Sequence, residues 1–220
     1  MKFPDKTINS VSELLIELQN TIDDDFVWFR GQPRSEWGLT PSLARDPAHL
    51  QKETELLKRF IQLSVPHLTT DLPGNDWEWI FLMQHHRVPT RLLDWTESPL
   101  TALWFAVSNK HEDAHDAALW CLNPLLLNRE ARFRGRLETE LPGFGKDAVL
   151  DSYLPDRQDT GVAQNPVAAS GPRNSKRMAA QMGNFTISDR ASSPIEQVGA
   201  GTHIWRFIVP SETNKTSEMN

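Results

Sequence analysis

Residues Gln84 to Val107, QHHRVPTRLLDWTESPLTALWFAV, constrain the fold of this chain more than any other stretch. An apolar pair, Leu92-Leu93, is enclosed by Gln84, His85, His86, Arg91, Asp94 and Thr96, all costly to bury. A buried charge needs an ionic partner and a buried polar group needs a hydrogen bond. Arg91 and Asp94 are therefore either neighbours across a short turn or two walls of one site. Each should have an ionic or multiply hydrogen-bonded partner, and breaking a buried pair by removing one member costs about 3–5 kcal/mol. Ser98-Pro99 next carries the N-cap and Pro-at-first-turn signature of a helix start. Leu100, Leu103, Trp104 and Val107 follow at i, i+3, i+4 and i+7 and predict one buried face. The small Ala102 and Ala106 would let another backbone approach closely. The segment reads as loop, short strand, polar corner and core helix, and polar side chains on a rigid corner are a common way to build a site.

The remaining chain supplies the elements that corner needs. Ser10-Val11-Ser12-Glu13 is a capping box, and Val11, Leu14, Leu15 and Leu18 form a helical face behind it. Phe26 to Phe29 reads as a short buried strand that stops at Arg30-Gly31. Helices are expected from Ala48 to about Leu63, with Leu57, Phe60 and Ile61 inward, and from Asp76 to about His86, with Ile80 and Phe81 inward. Ala117 to Leu122 is a strand too apolar to be exposed. Met182–Ile187 and His203–Val209 read as closing strands. Arg129–Lys146 is charged and irregular, and Asp156–Lys176, rich in Gly, Pro, Ser and Asn, reads as a mobile loop. Strands and helices alternate without the Gly-rich turns of a dinucleotide-binding doubly wound sheet. The expected class is α+β: a single domain with a mixed central sheet flanked by helices.

Composition narrows the function classes. A chain of 220 residues has enough length for one well-cored domain. Its longest apolar runs fall far short of the ~20 residues of a membrane span, and Met1–Lys6 lacks a secretory apolar core. One cysteine, Cys121, excludes an intrachain disulfide and suits a reducing compartment, so the expected location is cytoplasmic. A net charge of −6 argues against broad nonspecific nucleic-acid binding. His85 and His86 project about 100° apart on a helix, and no further ligand stands at metal spacing, so no metal is expected.

Val27-Trp28-Phe29-Arg30-Gly31-Gln32, taken with the 84–107 segment, resembles the FRG domain family, named for its Phe-Arg-Gly triplet. Further matching blocks are Trp37–Leu43, the helix bearing Glu53 and Glu55, Ala180–Thr186, and the last strand, Ile204–Pro210. The resemblance covers about residues 10–210 and leaves 211–220 as a polar tail. Family members continue past the final strand, so the chain reads as a short or truncated version. The second triplet, Phe133-Arg134-Gly135, stands in a charged loop and reads as coincidence.

A strand ending in aromatic-Arg-Gly also resembles the first motif of mono-ADP-ribosyltransferases, whose arginine holds a dinucleotide. Asp94-Trp95-Thr96 followed by Ala102–Ala106 is similar to their second motif. Their third motif supplies a glutamate, for which this chain offers Gln181 or, a little later, Glu196. A neutral Gln181 hydrogen-bonds a ribose but supplies no negative field for the developing cation. Arg30 itself has two readings, a core arginine paired with Glu53 or Glu55, or a bidentate phosphate grip.

The resemblances imply a polar pocket of Arg30, Gly31, Gln32, Gln84, His85, Arg91, Asp94, Thr96 and Gln181. Trp95 would stack on a base or ring, and NAD is the implied cofactor. Gln181, Glu196 and His85 are the candidate catalytic groups. Two functions stay open: an NAD-using, ADP-ribosyltransferase-like toxin or defence effector, and a non-catalytic recognition module of such a system, with a nucleotide or a protein as partner.

Overall fold

In the computed structural model the strand Ala117–Leu122 (β4) is the axis of the larger sheet, and all six of its residues are buried. The model describes residues 1–22, 26–68, 72–131, 140–157, 165–171, 183–191 and 193–214. β4 pairs antiparallel with Trp28–Gln32 (β2) on one side and Ile204–Val209 (β7) on the other. Lys6–Thr7 (β1) adds to β7 in parallel, giving the order β1-β7-β4-β2. A second, antiparallel sheet has the order β3-β6-β5, built from Leu92–Trp95 (β3), Val167–Ser170 (β5) and Asn184–Ile187 (β6). The class is α+β with a mixed sheet, and the strands divide between these two sheets.

A strand presents alternate residues to opposite faces, and here the two faces of the larger sheet meet different partners. Phe29, Leu119, Cys121, Trp205 and Phe207 face the helices Val11–Thr21 (α1) and Pro99–Val107 (α5). Trp28, Trp120, Leu122 and Ile204 face the other core, shared with the smaller sheet and with Glu53–Ser64 (α3) and Asp76–His85 (α4) through Leu57, Trp77, Phe81 and Leu92, while the short Pro47–Gln51 (α2) buries none of its residues. Pro124–Glu130 (α6) lies against β5, and Ser211–Asn214 (α7) follows β7.

Caps fall where the sequence marks them. The Ser10 hydroxyl accepts from Glu13 N, and the Glu13 carboxylate accepts from Asn9 N at 2.8 Å. Asn75 and Ser98 cap α4 and α5 through Glu78 N and Thr101 N. The single long helix expected over 48–63 is two, because Asp46 and Pro47 start a short helix that ends at Lys52. The loop expected over 156–176 contains β5, whose small residues pair with β6. The closing strand expected from Met182 begins at Asn184.

β2 does not stop at Arg30-Gly31. It runs through Gln32, and the reason is Gly31. A methyl group there would lie 1.9 Å from the Ala102 carbonyl oxygen and 2.5 Å from Ala106 N. The strand and the backbone of α5 are in direct contact, and Ala102 and Ala106 are buried at that contact. α5 is thereby rotated from expectation, with Leu103 and Val107 of the expected face still packed against the core. Leu100, Trp104 and Phe105 point outward, the last two 60% and 56% exposed, while the small residues point inward. In α1, Leu14 and Leu18 are buried, whereas Val11 and Leu15 of the expected face are exposed.

Candidate functional site

Phe29 and Thr96 exchange two backbone hydrogen bonds, Phe29 N to Thr96 O at 2.7 Å and Thr96 N to Phe29 O at 2.9 Å. This bridge joins the two sheets and sets Arg30, at its strand position, beside the end of β3. Arg30 Nη1 donates to the Asp94 carbonyl at 2.7 Å. Residues that are sixty-odd positions apart in the chain thus share one corner.

Asp94 is exposed, and its Oδ2 accepts from Gln84 Nε2 at 2.9 Å. Gln84 Oε1 in turn accepts from the Thr90 hydroxyl, which also accepts from Leu92 N. Gln84 is held in place by the end of α4. Arg87 has a φ of 59° there, and Arg87 N and Val88 N bond back to Gln84 O and Met83 O. That is a Schellman stop with a non-glycine residue at its left-handed position. Thr90 is tied to the turn Ser42–Arg45 through Ser42 and Leu43, which brings Arg45 to the neighbourhood of Arg30.

The electrostatics of Arg30 are only partly compensated. Its Nε is sealed from solvent without a hydrogen-bond partner, and no described carboxylate lies within ion-pair distance of it. Burial lowers its pKa most. The Asp94 carboxylate raises it, and the Arg45 charge lowers it again.

Arg91 is the reverse case and is not part of this corner. It is 1% exposed and points into the core, away from Asp94. Its Nε lies 2.8 Å from both Glu53 oxygens, Nη1 donates to Ser188 O at 2.7 Å, and Nη2 donates to Tyr153 O. Arg91 and Asp94 are neither a pair nor two walls of one site. Glu53, weighed as a partner for Arg30, serves Arg91, because the start of α3 passes the entry to β3.

The same holds for several other expected site residues. Trp95 is buried and donates to the Thr186 hydroxyl at 3.0 Å, so it offers no stacking face. The Thr96 hydroxyl accepts from Ser98 N at the helix start. Gln32 is buried, accepting from Trp120 Nε1 at 2.9 Å and donating to Gly38 O. His85 is exposed, its ring against that of His86, and has no bond to Asp94 or Arg30. Gln181 and the Phe133 triplet lie outside the described residues. Among the described residues no three His, Cys, Asp or Glu side chains gather as a metal site, and no helix is long and apolar enough to cross a membrane. Because Asp94 is exposed, Asp94→Ala should cost no more than about 1 kcal/mol, the worth of one hydrogen bond. A urea melt checks this, and a loss near 3 kcal/mol would place Asp94 in a buried network after all.

Glu196 stands elsewhere, in an open cavity of about 400 Å³. Trp37, Gly38, Trp120, Glu36 and Arg206 line this cavity with it, Met1 lying at one side. Glu196 Oε1 accepts from Leu39 N at 3.3 Å, while Oε2 has no partner. Glu36 and Trp37 were absent from the sequence-level site, yet Glu36-Trp37-Gly38, an indole between a charge and a glycine outside any periodic run, is the pattern of an exposed aromatic.

No curated protein and no solved structure matches the chain. A family model does, over residues 25–115, a narrower span than the 10–210 of the sequence reading. It takes in β2, the Gln84–Thr96 corner and α5, the three parts that the Gly31 contact and the Phe29–Thr96 bridge lock together, and on this match the chain carries an FRG domain.

Proposed function

We propose that the Arg30 corner is an anion site that takes the pyrophosphate of a nucleotide, with NAD as the first candidate. The observation that carries this is the contrast between two arginines in one domain. Arg91 has a carboxylate and two carbonyls. Arg30 has one carbonyl, an orphaned Nε and a second cation, Arg45, nearby. A guanidinium that is partly desolvated and offset only at a distance by the Asp94 carboxylate is stabilised by a phosphate, whose oxygens match its planar fork. Gln84 and Asp94, held by Thr90, offer an amide and a carboxylate to ribose hydroxyls beside it.

The same site serves two kinds of protein. With an acid at the ribose it suits an ADP-ribosyltransferase-like toxin or defence effector; without one it is a recognition module that binds and does not turn over. Nicotinamide release from NAD separates the two. Binding is tested first by calorimetry with NAD and with inorganic pyrophosphate. Arg30→Lys keeps the charge and loses the fork, so both ligands should bind at least about tenfold more weakly. The melting temperature should stay close to that of the parent, since Arg30 has a single protein hydrogen bond to lose. Unchanged binding in Arg30→Lys, or no binding by the parent protein, removes the proposal.

A further inference from the structure

The cavity at Glu196 has no part in the anion site, and its chemistry is of the opposite kind. Two of its walls are the indoles of Trp37 and Trp120, and its charged lining includes Glu36 and Glu196. Arg206, also in the wall, is neutralised: its Nη2 lies 2.7 Å from Asp5 Oδ2, Nε bonds both Asp5 oxygens, and Nη1 donates to Ser35 O. Arg34, just outside, is held by Glu112 at 2.5 Å, with Glu36 more distant at 3.7 Å. Glu36 has only two distant partners, Arg34 Nη1 and His115 Nδ1, each at 3.7 Å, and Glu196 has no ion pair among the described residues, so the two carboxylates leave the space electronegative.

Both indoles already accept guanidinium. Arg34 lies 5.5 Å from the Trp37 ring and Arg206 lies 4.9 Å from that of Trp120. These are the distances at which a cation is attracted to a ring face. The volume of about 400 Å³ falls within the range of about 300–1,000 Å³ typical of small-ligand pockets. Glu196 is also held ready. Its carboxylate sits over Gly38, where a methyl group would come within 2.9 Å of Oε1, and the Leu39 N–H fixes Oε1. Oε2 is left without a donor. A carboxylate oxygen sealed from water and unpaired is costly, and a charged N–H donor is its strongest complement.

We infer that this cavity binds a planar organic cation, a guanidinium group, against the exposed indole of Trp37 with Glu196 as its charge partner. The inference does not depend on a nucleotide at Arg30. It is tested on the whole chain by calorimetry with n-butylguanidinium and its neutral counterpart n-butylurea. The guanidinium should bind one to one, and the urea at least about tenfold more weakly. Glu196→Gln keeps an oxygen for Leu39 N and removes the charge. It should weaken guanidinium binding by about tenfold or more and leave n-butylurea little changed. Trp37→Leu, at a position already 36% exposed, should weaken it without unfolding the domain, and serves if Glu196→Gln fails to fold. The tripeptide Gly-Arg-Gly distinguishes the source of the cation: tighter binding than n-butylguanidinium points to an arginine of a protein, weaker binding to a free small molecule. Pyrophosphate titrated into Glu196→Gln should bind as in the parent, so failure of the anion site and failure of this one are told apart. Equal binding of the urea, no saturable binding of the guanidinium, or indifference to both substitutions overturns the inference.

Discussion

Gly31→Ala should be the most damaging single-methyl change in this chain, lowering stability by about 3 kcal/mol or more, at or beyond the upper end of usual overpacking losses. On propensity alone, alanine in a strand gains roughly 0.5–1 kcal/mol over glycine. Against that stand contacts of 1.9 Å and 2.5 Å with backbone atoms of α5, which no rotamer change relieves. α5 must move off β2, opening the core that holds Phe29, Leu119 and Cys121. A urea or thermal melt measures the loss. Truncating Ala102 to glycine should not restore stability, because the obstacle is its carbonyl and not its methyl. A Gly31→Ala protein that melts within a degree or two of the parent would mean that α5 does not rest on the strand.

Glu53→Ala should rank beside it. Arg91 is 1% exposed and its Nε touches both Glu53 oxygens. Removing the carboxylate leaves a buried cation with two carbonyls and no countercharge, a loss of about 3–5 kcal/mol. Glu55, two residues on and exposed, is the internal control, and Glu55→Ala should fall within about 0.5 kcal/mol of the parent. The gap should persist in high salt, because a buried pair is poorly screened. If the two variants melt alike, Arg91 is not neutralised by Glu53.

Much of the fold could be read from local chemistry. The helix starts at Ser10, Asn75 and Ser98 are caps, and capping is decided by a few adjacent residues. β4 was legible because six apolar residues in a row fit only a buried strand. β5 was not: Val167-Ala168-Ala169-Ser170 has weak strand propensity, and its pairing with β6 is a long-range event. The orientation of α5 was misread for a related reason. Leu100, Leu103, Trp104 and Val107 keep helical period, but period leaves the rotation of the face open: Leu103 and Val107 pack against the core, and Leu100 and Trp104 do not. What decided the rotation was Gly31, seventy-odd residues upstream, meeting Ala102 and Ala106.

The candidate site shows the same division. That Arg30 and Asp94 meet was readable, because both are polar groups within short apolar strands, although Arg30 lies inside β2 and not at its end. Which arginine takes the glutamate was not. Glu53 lies close enough in sequence to suit either, and only the path of α3 past β3 assigns it to Arg91. Trp95, expected to stack on a ligand, is buried while Trp37 is open, because burial of an indole depends on its surroundings in the fold. The Thr186 hydroxyl accepts from the Trp95 indole, and an open cavity lies before Trp37.

α5 rests on the sheet through its backbone, two alanines, Leu103 and Val107, so its most conspicuous side chains, Leu100, Trp104 and Phe105, contribute almost nothing to the domain's own cohesion. In terms of sequence drift, this divides the helix into two unequal halves. Gly31, Ala102 and Ala106 have next to no freedom, since any added atom meets main chain. Leu100, Trp104 and Phe105 can be exchanged without disturbing a core contact, and what restrains them is solubility rather than folding. The positions with least side-chain chemistry are the rigid ones, and the conspicuous aromatics are open to change.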